Sequence, residues 1–93
     1  MATFVMLTRL TAEGIQTLKN NPQRIKEVNS EVEQIGAKVI GQWAVLGQYD
    51  FVTVVEAPDE KTMAKVSIEL GSRGTMESQT LTGIEIDDFV SAL

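Results

Sequence analysis

Ninety-three residues, 43% of them apolar, are enough for one compact domain with one core and too few for two, so residues 1–93 read as a single domain. The net charge is −5, from 8 basic and 13 acidic residues, and the cations are scattered, which excludes the basic stripe a nucleic-acid partner requires. With neither cysteine nor histidine, disulfides, thiolate nucleophiles, zinc–thiolate sites and iron–sulfur ligation are excluded, and no metal or cofactor is expected. Acid–base chemistry near neutral pH would fall to carboxylates, lysine or tyrosine.

The opening run MATFVMLTRL has no cationic region before its apolar segment, and Thr8 and Arg9 end that segment too soon for a signal peptide or a membrane span. A soluble, cytoplasmic protein is expected. Residues Thr3 to Leu10 are β-branched and apolar, with Phe4, Val5, Met6 and Leu7 consecutive, so both faces of this strand seek burial and it belongs mid-sheet. Thr11 follows as a helix N-cap with Glu13 in the first turn. Asn20, Asn21 and Pro22 then interrupt the helix, because proline lacks the amide donor yet fits the first turn of a new helical piece.

From Arg24 to Ile35 the apolar residues Ile25, Val28, Val32 and Ile35 recur at helical spacing, and Gly36 suits a left-handed stop. AKVIGQWAVLG reads as a second strand with a bulge or close approach at Gly41. Gly47 and Gln48 supply a turn, and DFVTVVEA is a third strand, apolar on both faces, so the pair forms an antiparallel hairpin. Asp59 caps a helix carrying Met63, Val66 and Leu70, with Gly71 or Gly74 as its stop. TMESQTLTGIEI is an alternating edge strand, and a short tail, DDFVSAL, follows with Asp87 or Asp88 as its cap.

The order β-α-β-β-α-β gives an α+β, ferredoxin-like fold: a four-stranded antiparallel sheet with the first and third strands central and two helices on one face. The helices cover one face only, whereas the central strands are apolar on both. Leaving the second face bare would expose a large apolar patch, so a homo-oligomer is expected, two sheets pairing into a dimeric α+β barrel.

At Gly47-Gln48-Tyr49-Asp50 the chain resembles the GYD domain family, named for a Gly-Tyr-Asp motif, here with Gln48 interposed. The resemblance extends through FVMLTRLTAEGI, NPQRIKEV, IGAKVIGQWAVLGQYDFVTVVEAPDE and GTMESQTLTGI, nearly the whole chain. It implies a ferredoxin-like fold of the dimeric α+β barrel group and an oligomer; it implies no family-wide activity.

Five residues stand out as ligand-binding candidates: Arg9, Trp43, Tyr49, Asp50 and Thr53. Tyr49 and Asp50 could bind a polar ligand or shuttle a proton; equally, Asp50 could brace the turn through backbone amides with the tyrosine hydroxyl tied down. Trp43 could wall a pocket or anchor an interface. Arg9 could hold a carboxylate or pair with a strand-end acid such as Glu56. Thr8, Thr53, Thr80 and Thr82 could line a polar cavity or simply suit strands. Glu85, Asp87 and Asp88 lack the spacing of a cation loop and read as a helix start. Three functions follow: a small-molecule-binding or regulatory module, a cofactor-independent isomerase or monooxygenase acting on a small apolar or aromatic compound, and a structural or protein-binding oligomer.

Overall fold

A computed structural model describes the whole chain, Met1 to Leu93. The elements are β1 (Ala2–Leu10), α1 (Ala12–Asn20), α2 (Arg24–Ile35), β2 (Lys38–Ala44), β3 (Phe51–Ala57), α3 (Glu60–Gly71), β4 (Met76–Gly83) and α4 (Ile86–Ala92). All strand pairs are antiparallel and the sheet order is β2-β3-β1-β4, which puts the two strands that are apolar on both faces in the middle.

Local chemistry sets the boundaries. The Thr11 hydroxyl accepts from the Gly14 amide at 3.1 Å and starts α1. Around Pro22 the helix breaks, and α2 begins at Arg24. Gly36, at φ 113°, closes α2 in the left-handed conformation that a side chain resists. Asp59 caps α3 by accepting from the Thr62 amide at 2.8 Å. The cap of α4 is Glu85 rather than Asp87 or Asp88: its carboxylate accepts from both of their amides.

One face of the sheet meets α2 and α3. Phe4 and Met6 of β1 and Val55 and Ala57 of β3 pack there against Val32, Met63, Val66 and Leu70. The opposite face carries Val5 and Leu7 of β1, Val52 and Val54 of β3 and Leu81 of β4, cross-strand neighbours by register. None of these five is fully buried.

A bulge decides which face receives Trp43. Val39 pairs with Val55, but Gly41 pairs with Val54, so Ile40 is the extra residue. In a regular strand Val39, Gly41 and Trp43 would share one face. The inserted residue keeps Val39 with the core and turns Gly41 and Trp43 to the uncovered face, opposite Val54 and Val52. The indole lies over Gly41, where a methyl group would come within 2.9 Å of the ring. Trp43 remains 57% exposed.

Candidate functional site

Between the sheet and the α1–α2 corner lies a cavity of about 190 Å³. Its walls are apolar, from Met6 and Phe51 on the sheet to Leu18, Ile25 and Val28 on the helices. A short polar chain crosses its floor: Asn29 Nδ2 donates to Gln42 Oε1 at 2.8 Å, and Gln42 Nε2 donates to Thr53 Oγ1 at 3.2 Å. The bulge makes this chain possible, because it places Gln42 on the helix side beside Thr53. Thr8, also in the lining, shares a 3.0 Å hydrogen bond with Ser78.

At the rim, Arg24 and Arg73 converge on Glu31, with Glu27 and Glu69 pairing outside them. The hydrogen bond from Arg73 holds the Glu31 carboxyl below the usual glutamate range against an opposing cost of desolvation, and the charges of Arg73 and Arg24 add to it. The Arg73 guanidinium is stabilised as a cation in return, first by the Glu31 hydrogen bond. The Asp59 carboxyl is also lowered, by the Thr62 amide it caps. These shifted groups belong to a helix clamp and a helix cap.

The five residues singled out by sequence fall in three places. Thr53 alone lines the cavity. Arg9, Tyr49 and Asp50 gather at the end of the sheet where β1 and the β2–β3 connection meet. The Arg9 guanidinium carbon stands 5.6 Å from the Tyr49 ring centroid, and its Nε donates to the Gln48 carbonyl at 3.1 Å. Glu56, the alternative partner for Arg9, sits at the other end of the sheet opposite Thr3 and Lys38. The Tyr49 hydroxyl donates to Gln79 Oε1 at 3.0 Å.

Asp50 is bound into the backbone. Its Oδ2 accepts from the Leu10 amide at 2.8 Å, its own amide donates to the Thr8 carbonyl, and its carbonyl accepts from the Val45 amide, each at 2.8 Å. Trp43 lies apart on the uncovered sheet face. Thr80 bonds Ser67 of α3 at 3.0 Å and Thr82 is exposed, so of the four threonines Thr8 and Thr53 line the cavity, on the helix side of the sheet.

A second apolar surface was legible in the sequence but not read from it. Ile86, Phe89, Val90 and Leu93 follow the i, i+3, i+4, i+7 spacing of one helical stripe. Ile86, Phe89 and Val90 of α4 are 64%, 46% and 61% exposed, Leu93 at its C-cap is 90% exposed, and no residue of the helix is buried. No helix of the chain is long and apolar enough to cross a membrane, and no three metal-ligating side chains gather at one point.

Comparison with known proteins agrees with this architecture. The GYD domain model matches residues 4–93. A Thermus thermophilus protein named glutamine synthetase and cystathionine beta-lyase binding protein is 49% identical over 94 residues, covering 100% of this chain and 99% of the relative. The crystal structure of FFRP-DM1 superposes with a TM-score of 0.64 at 17% identity, over 90% of this chain and 100% of that one. A second crystal structure, also of a Thermus thermophilus protein, gives a TM-score of 0.58 at 21% identity, over 91% and 95% of the two chains. At such identities the two structures speak to fold alone.

Proposed function

The chain belongs to the GYD domain family, and from that premise we propose that it is a homo-oligomeric binding module whose partner is another protein. The observation that carries this reading is the pair of apolar surfaces the chain leaves uncovered: the sheet face around Trp43, Val54 and Leu81, and the α4 stripe of Ile86, Phe89, Val90 and Leu93. Contiguous exposed apolar surface of this kind marks association sites. A second copy of the chain covers the sheet face, giving the dimeric α+β barrel, and α4 adds contacts between copies or with the partner. The name of the 49% identical relative supports a protein partner.

The test is direct titration of the purified chain into glutamine synthetase and into cystathionine β-lyase from its own organism. Saturable binding to either is expected. No interaction with either at micromolar concentration would contradict the protein-partner reading.

A second reading, binding of a small molecule, is favoured by the cavity under the α1–α2 corner. An isomerase or monooxygenase has less support. It needs Tyr49, Asp50, Trp43 or Arg9 to converge on one cavity, yet the Asp50 carboxylate is committed to Leu10 and the Tyr49 hydroxyl to Gln79; Arg9 and Tyr49 line only a shallower, polar hollow with Glu77, Ser78 and Gln79, and none of the four lines the apolar cavity.

A further inference from the structure

Interiors pack with few voids larger than a water molecule, so a space of about 190 Å³ between helix and sheet needs an occupant or a reason. We propose that it binds a neutral, mostly apolar molecule of about one ring in size that carries a single hydrogen-bond acceptor. This rests on the small-molecule reading and assigns that reading a place and a ligand chemistry.

Size comes first. An apolar cavity of about 150 Å³ accepts benzene, so the present volume suits a substituted ring or a branched chain of similar bulk. Polarity comes second. Thr53 is 6% exposed and its hydroxyl oxygen already accepts from Gln42, which leaves its proton to be donated into the space. One acceptor on the ligand answers that proton, while Met6, Phe51, Ile25 and Val28 meet the rest of its surface.

Charge decides the class. Arg24 and Arg73 would invite a carboxylate if they were free, but Glu31 lies between them and Glu27 and Glu69 pair outside them. Both arginines reach the lining and the three carboxylates lie outside it, but each guanidinium is already engaged in two ion pairs, so an anion would have to displace a glutamate to be held there. The lining itself contains no acidic residue that would hold a cation. A neutral occupant is what remains.

The experiment records amide shifts of ¹⁵N-labelled protein on titration with benzyl alcohol, toluene and benzoate. Benzyl alcohol is expected to shift the amides of Val28, Phe51 and Thr53 and to bind several-fold more tightly than toluene, up to about tenfold for one neutral hydrogen bond. Benzoate is expected to leave them in place. Thr53→Val should abolish the preference of benzyl alcohol over toluene while both still bind. The comparison of the two probes on the native chain stands even if that variant folds poorly.

Tighter binding of benzoate, or of toluene over benzyl alcohol, would overturn the ligand chemistry and leave small-molecule binding intact. Shifts confined to Val5, Val54 and Leu81 would move the site to the uncovered sheet face. No shift with any probe would overturn both the site and the small-molecule reading.

Discussion

Asp50 ties β1 and the end of β2 together at one corner: its carboxylate takes the Leu10 amide, its amide reaches Thr8, and its carbonyl receives Val45. Only the carboxylate bond depends on the side chain. Hydrogen bonds to a charged group contribute about 1.5–3 kcal/mol, so Asp50→Ala should lower stability by that order and Asp50→Asn, which keeps an acceptor oxygen, by less. Urea unfolding midpoints measure both, and an unaltered midpoint for Asp50→Ala would remove the bracing role.

Gly14 sits inside α1, where alanine ordinarily stabilises by about 0.5–1 kcal/mol. Here the sign reverses. A methyl group at Gly14 would come within 1.9 Å of the Thr75 carbonyl oxygen, which already accepts the Thr11 amide. Gly14→Ala should therefore destabilise by about 1–3 kcal/mol, the usual range for overpacking, in the same unfolding assay.

Glu31 links folding to pH. Its folded carboxyl lies below the ordinary glutamate range, so the stability it supplies is fully present above that range and is lost as pH falls through the lowered folded value. Its side chain is 33% exposed, and solvent screening limits the contribution to less than about 1 kcal/mol. Thermal melts at descending pH should show a shallower acid-side decline for Glu31→Gln than for the native chain; parallel declines would contradict the assignment.

At the scale of elements, much of the fold could be read from spacing. The repeat of Ile25, Val28, Val32 and Ile35 marks α2, Gly36 ends it, and the unbroken apolar runs of β1 and β3 place both at the centre of the sheet. What could not be read depends on partners. The residue Gly41 suggests a bulge, but only the register against Val54 and Val55 shows that Ile40 is the inserted residue and that Trp43 and Gln42 thereby exchange faces. Pro22 signals a broken helix, but the space left beneath the break depends on how α1 and α2 rest on the sheet.

The stripe of α4 was available from spacing alone. It hides in a tail whose acidic start reads as solvated, and its apolar residues gain no burial within the chain. Because α4 contributes nothing to the core, a chain ending at Ile84 should keep its far-UV circular dichroism of sheet and helix. It should also associate more weakly in sedimentation velocity. Unchanged association would place α4 outside the interface between copies.

At the scale of the molecule, the balance between core and surface argues for assembly. Only 12 of 93 residues are buried in the isolated chain, while Trp43, Leu81 and the α4 stripe remain in solvent. A small domain buries too little of its own surface for large stability, and the proposed association would supply what the single core lacks. Pairing through the uncovered face, as proposed, would account for β1 and β3 being apolar on both sides although helices cover only one. Light scattering on the eluting protein, for the native chain and for Trp43→Glu, tests this most directly. The expected native mass is at least twice 10.2 kDa, falling toward 10.2 kDa in the variant. A native chain of 10.2 kDa at micromolar concentration would contradict assembly through the uncovered sheet face.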